Sequence, residues 1–197
     1  SWGVDETCSV VDSQRVTFSD CVVAEGLRRA GHEDGDHSMG MLVRGGVFVL
    51  VVGCLFVRNE NRNPQVEEGS KLWLERCLVA RFRRGLRLND LDDEGARAWV
   101  QAVGNRFVAP RRRGEEIVVD DSVTNAWLSV DGNVGPRGQD WALVSREDRP
   151  SAQGGLDPVR CTSPYPPSFS RGGFDLARVG ALPRDACDAR SVSAVEG

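Results

Sequence analysis

The sequence predicts an all-β solenoid, in which short strands wind around one core and successive coils stack on each other. Three observations carry this expectation. A strand–bend–strand segment recurs along the chain, a Cys or Asn stands at the same point of each copy, and helical periodicity is weak throughout.

The copies are "RVTFSDCVVAEG" from Arg15, "VFVLVVGCLFVRN" from Val47, "KLWLERCLVARF" from Lys71 and "RAWVQAVGNRFVAP" from Arg97. Each has two or three alternating apolar residues, a short polar or small pair, then Cys or Asn, then a second short apolar strand. The marker residues are Cys21, Cys54, Cys77 and Asn105, separated by 33, 23 and 28 residues. A weaker fifth copy runs from Glu116 to Asn133. One such coil cannot bury its own apolar face. Stacked coils pair backbone to backbone at about 4.8 Å and share a continuous core. The segment "EGARAWVQAV", Glu94–Val103, passes for a helix in isolation, but its place in the repeat predicts a strand.

Six cysteines are present, Cys8, Cys21, Cys54, Cys77, Cys161 and Cys187, and none falls in a CxxC pair, so zinc-type spacing is absent. A disulfide framework is one reading. For Cys21, Cys54 and Cys77 the repeat favours a buried ladder of free thiols at a bend.

The chain has 197 residues, enough for one domain with a real core, and a net charge of -4. Lys71 is the only lysine among 25 basic residues, which are scattered. That argues against a nucleic-acid face, and "RRR" at Arg111–Arg113 reads as a solvated loop tip. The apolar run Val47–Val57 is too short to span a bilayer. Loops between coils vary in length. The longest early one, Gly26–Gly40, carries both histidines: His32 reads as solvated loop, and His37 as a structural or substrate contact. After Asn133 the repeat thins, and residues 134–197 read mainly as an extended tail along the outside with an end segment. No nucleophile elbow, phosphate loop or HExxH pattern occurs. The acidic pairs Asp92–Asp93 and Asp120–Asp121 read as loop carboxylates, since neighbours in a strand point to opposite faces.

Four motifs in order, "SWGVDET" with "VTFSDCVVAEGL", "GDHSMGMLVRGG", "CLFVRNENRNPQVEEG" and "VGALPRDACDARSV", resemble the bacterial pectate lyase family. The resemblance implies a right-handed parallel β-helix, a single domain of which this chain is the larger, C-terminal part, without the first coils. It implies a secreted, monomeric enzyme acting on acidic plant cell-wall polysaccharide, pectate or pectin, by β-elimination assisted by Ca²⁺. No nucleic-acid or membrane partner is expected.

By the same resemblance, the Arg-x-Pro setting of the family's base falls on "RNP" and assigns the catalytic position to Arg62, with Pro64 as the fixed turn that directs it. A guanidinium normally keeps its proton, so a basic role needs dry surroundings and adjacent cations. Otherwise Arg62 serves as a charge clamp. The calcium carboxylates fall at Asp5 and at Ser9; Asp5 keeps a carboxylate, Ser9 does not, and Glu6 adjoins. His37 matches a substrate-side histidine. Met39 and Glu67 stand where the family carries cations, and Arg44 and Lys71 are candidate replacements. Rival expectations are a carbohydrate-binding β-helix without turnover and a lyase for methylated pectin.

Overall fold

The computed structural model describes residues 3, 5–33, 35–67, 69–89, 98–111, 114–120, 122–123 and 126–146. Among these residues the chain is all-β, apart from a 3-10 turn at Asp140–Leu143. Strands are numbered in chain order and fall into three sheets. The first holds β1 (Glu6–Val11), β4 (Met39–Arg44), β7 (Gln65–Val66), β10 (Arg84–Leu88), β13 (Glu115–Val119) and β17 (Val144–Arg146). The second holds β2 (Thr17–Ser19), β5 (Val49–Val52), β8 (Lys71–Glu75), β11 (Ala98–Val103) and β14 (Ala126–Asp131). The third holds β3 (Val22–Ala24), β6 (Leu55–Val57), β9 (Leu78–Ala80), β12 (Arg106–Val108), β15 (Val134–Gly135) and β16 (Gly138–Gln139).

The chain visits the three sheets in turn, and each strand pairs with the strand one circuit earlier and one circuit later. Pairing is parallel throughout except between β15 and β16. Period-two alternation then stacks like on like. Val49, Leu72, Val100 and Leu128 form one inward row of the second sheet, and Val10, Val43, Val66, Leu88 and Val119 form one of the first. In the third sheet Val23, Phe56, Val79 and Phe107 are in register, and Phe107 meets Phe82 edge to face at 6.0 Å. Each fully buried phenyl ring contributes roughly 2–3 kcal/mol of transfer free energy. Leu50, Val52 and Trp73, of opposite parity in the second sheet, form a separate apolar cluster.

The bend between second and third sheets explains the repeat. It is two residues long in every circuit. The first residue is left-handed: Asp20, Gly53, Arg76, Gly104 and Gly132 have φ of 53, 62, 50, 62 and 67°. Glycine adopts this region without strain, whereas Asp20 and Arg76 carry a Cβ there. The second residue is the marker, so Cys21, Cys54, Cys77, Asn105 and Asn133 lie in register. The thiols behave alike: Cys21, Cys54 and Cys77 each donate to the carbonyl two residues earlier, at 3.3, 3.4 and 3.4 Å. Cys8, Cys21, Cys54 and Cys77 are all free; Cys161 and Cys187 lie outside the described residues. Past the last thiol, the Asn105 side-chain oxygen accepts from the Cys77 N–H at 2.9 Å, and its amide donates to the Leu74 carbonyl at 3.0 Å.

Ala98–Val103 is strand β11, as its place in the repeat predicts. Residues 134–146, expected to begin a tail, instead carry β15, β16 and β17 and extend two of the sheets. The remainder of the expected tail, Asp92–Asp93, Asp121 and Arg112–Arg113 lie outside the described residues.

Candidate functional site

Arg62 reaches its position through two asparagines. Asn59 follows the bend after β6. Its side chain accepts from the Gly26 N–H at 3.0 Å and donates to the Val23 carbonyl at 2.8 Å and to the Asn63 side-chain oxygen at 3.1 Å. Asn63 in turn donates to the Arg84 carbonyl at 3.0 Å. The loop "NENRN" is thus pinned to the circuits before and after it. Arg62 itself is left-handed, with φ of 61°, and its carbonyl accepts from the Met41 N–H at 2.6 Å. Gly40 lies directly beneath: a Cβ there would sit 2.5 Å from that carbonyl oxygen. The Asn63–Pro64 peptide is cis, and Pro64 is buried.

The Arg62 guanidinium is ion-paired with Glu6, at the start of β1, and stands 3.9 Å from Asp5 Oδ1. Its side chain is 20 % exposed. Burial pushes against its charge, Asp5 and Glu67 act to retain it, and Arg87 on the next circuit acts with burial; the net direction is downward. Arg84 is lowered the same way, by burial and by Arg87 and Arg83.

Asp5 also faces both histidines. His37 Nε2 is 3.4 Å from Asp5 Oδ1, and His32 Nε2 is 3.8 Å from Asp5 Oδ2. The two rings stack with centroids 3.9 Å apart. His37 is buried, held by its N–H to the Arg28 carbonyl at 2.9 Å and by ring Nδ1 to the Gly35 carbonyl at 3.2 Å.

On the first sheet, a polar row crosses β4, β7, β10 and the residue after β13. Arg44 Nε donates to Glu67 Oε2 at 2.5 Å, Gln65 Nε2 to Glu67 Oε1 at 2.6 Å, and Arg87 to Gln65 Oε1 at 3.0 Å and to Asp120. Glu67, standing where the resemblance leads one to expect a cation, is the buried partner of Arg44. Lys71 lies apart from this row, in the second sheet, with its ammonium 5.4 Å from the Phe48 ring centroid.

The structure therefore brings Arg62, Asp5, Glu6 and His37 together, with Pro64 two residues from Arg62. It sets Arg44 on the neighbouring polar row. Two contributors escape sequence reasoning. His32, expected to be solvated, has a side chain only 19 % exposed and stacks on His37. Arg87 supplies a cation from the next circuit rather than from the loop of Arg62 itself. No pattern in the sequence marks Arg87, whose register with Gln65 is set by the stacking of the strands.

Calcium takes six to eight oxygen ligands at about 2.3–2.6 Å. Near Arg62 the carboxylates of the first strand are Asp5 and Glu6, and Glu6 is engaged by the guanidinium. The groups that face one another are one carboxylate and two imidazoles, all ligand atoms within 4.8 Å. This nitrogen-rich set does not fit calcium, a hard, oxygen-seeking ion. Compared with protein-family models, with curated proteins and with solved structures, the chain matches none of them.

Proposed function

We propose that this chain is a right-handed parallel β-helix of the pectate lyase kind, a secreted protein that cleaves an acidic galacturonan by β-elimination. The observation that supports this most is Arg62: a guanidinium largely withdrawn from water, beside a second cation, Arg87, and two carboxylates. In the reaction Arg62, in its deprotonated form, takes the proton from the carbon next to a uronate carboxylate; that C–H electron pair forms a carbon–carbon double bond, and the glycosidic C–O bond breaks. The departing oxygen keeps that bond's electron pair and takes up a proton. Negative charge grows on the uronate as the proton departs, and a desolvated guanidinium stabilises it strongly. Burial and Arg87 disfavour the charged form of Arg62, the direction a base needs, while Asp5 and Glu67 oppose them.

The Glu6–Arg62 pair also favours a second reading, a β-helix that binds polysaccharide without turning it over. Incubation with polygalacturonate and with methylated pectin, following the ultraviolet absorbance of unsaturated uronide, separates the two. The lyase reading expects product that Arg62→Ala abolishes. Binding without product on either polymer selects the second reading, and product on the methylated polymer alone makes pectin the substrate.

A further inference from the structure

We propose that Asp5, His32 and His37 form a site for a borderline divalent transition-metal ion of the zinc and cobalt class. The proposal is independent of the lyase reading.

Its first support is the tautomer of His37. Nδ1 lies 3.2 Å from the Gly35 carbonyl, which can only accept, so Nδ1 carries the hydrogen. Nε2 then presents its lone pair to Asp5 Oδ1 at 3.4 Å. Two electron-pair donors facing each other at that distance are what a bound cation would bridge. A backbone carbonyl that fixes one ring nitrogen so that the other ligates is the usual outer partner of a metal-bound histidine.

The second is an unpaired oxygen. Asp5 Oδ1 is buried and accepts no hydrogen bond, which is costly for a carboxylate unless a cation satisfies it. Arg62 does not do so at 3.9 Å, because Glu6 holds its guanidinium. The third is spacing. Metal–nitrogen and metal–oxygen bonds of about 2.0–2.2 Å put tetrahedral ligands about 3.4 Å apart. The His37-to-Asp5 distance of 3.4 Å matches that edge, His32 lies 3.8 Å from the other Asp5 oxygen, and the three ligand atoms fall within 4.8 Å of one another.

Charge agrees as well. Asp5, Glu6 and Arg62 sum to one negative charge, so a divalent ion is attracted rather than repelled. Three protein ligands leave a coordination position for water or a substrate oxygen, as in catalytic rather than structural zinc sites.

The test uses the full chain, stripped with a chelator and titrated with Co²⁺. Visible d–d bands of a four- or five-coordinate site are expected, saturating at one equivalent, bleached by Zn²⁺ and indifferent to excess Ca²⁺. His32→Ala, a change on a loop, should weaken Co²⁺ binding by at least about tenfold while leaving the circular-dichroism melt of the metal-free protein unchanged. Asp5→Asn should do the same. Only the weak spectrum of aqueous cobalt, a sulfur-to-cobalt charge-transfer band placing the ion on cysteine, or equal binding by both variants would overturn the proposal. Because the readout is the metal's own spectrum, a protein that cleaves no polysaccharide can still pass.

Discussion

Asn105 donates its side-chain amide to the side-chain oxygen of Asn133, one circuit further on, at 2.8 Å, with both residues fully buried. The same Asn133 oxygen accepts from the Asn105 N–H at 3.1 Å, and Asn133 donates back to the Ala102 carbonyl at 2.9 Å. These two side chains close the backbone groups of a bend that stacked strands alone leave open. Replacing Asn105 by Ala strands the Cys77 N–H in the core. Such an orphan costs about 1–3 kcal/mol, so Asn105→Ala should lose roughly 1–3 kcal/mol in urea unfolding followed by circular dichroism. A midpoint within experimental error of the parent would mean that the ladder is packing only.

The thiols on the same ladder should be chemically quiet. Burial, then the neighbouring Cys54 and Cys21, pushes Cys8 up to about 11, and burial raises Cys21 as well. The hydrogen bond with Cys77 draws Cys54 down to about 7, toward the reactive thiolate, so its quietness rests on access alone: Cys54 and Cys77 are essentially inaccessible. In the native protein near pH 8, alkylation mapped peptide by peptide should leave Cys8, Cys54 and Cys77 unmodified, and denaturant should expose all four ladder and strand thiols together. A Cys21–Cys54 or Cys54–Cys77 disulfide peptide would show that the ladder is a cross-link instead.

That ladder was legible in the sequence because a bend of constant length repeats Cys or Asn at one place. Asp20, Gly53, Arg76, Gly104 and Gly132 precede it, and the two-residue spacing never changes. The surroundings of Arg62 were harder to read, for a physical reason. Its neighbours Asp5, His32 and Arg87 arrive from other circuits, and the loops between circuits differ in length. No fixed offset along the chain then corresponds to a fixed offset in space. The resemblance pointed to Arg62, Asp5, Glu6 and His37. It placed a cation within the loop of Arg62, where Glu67 stands, while Arg87 comes from the next strand over. Nor could spacing show that His32 folds back over His37, since the loop that carries it belongs to no repeat.

Asp120 gives the polar row a pH dependence. Burial raises its carboxyl, but the Ser122 N–H and Arg87 outweigh that and hold it below the ordinary 3.8. A folded value below the unfolded one means that the unfolded chain takes up the proton first as pH falls. The contribution of Asp120 is therefore complete above about pH 4 and fades as pH drops through the lower folded value. Asp120→Asn should cost on the order of 1 kcal/mol at pH 7, with the gap to the parent narrowing toward pH 2–3 in paired urea titrations. A gap that stays constant with pH would remove Asp120 as a source of acid lability.

Two glycines separate backbone crowding from ordinary packing. A Cβ on Gly40 would stand 2.5 Å from the Arg62 carbonyl oxygen and 2.9 Å from the Asn63 side-chain oxygen, both fixed by hydrogen bonds to neighbouring circuits. A Cβ on Gly135 would meet side chains, at 3.0 Å from Leu143, 3.1 Å from Glu116 and 3.3 Å from Phe107. Side chains shift by tenths of an ångström at small cost, whereas a pinned carbonyl in a parallel ladder moves only with its strand. Overpacking of this kind typically costs about 1–3 kcal/mol. Gly40→Ala should reach or exceed the upper end, and Gly135→Ala should fall at the lower. The displaced carbonyl belongs to the residue whose guanidinium meets Glu6, so Gly40→Ala should also weaken whatever ligand or turnover Arg62 supports, and Gly135→Ala should not. Denaturant midpoints and polysaccharide assays on the two variants read both effects. Equal midpoints, or a Gly40→Ala protein with parental activity, would show that the Arg62 loop tolerates displacement from the strand beneath it.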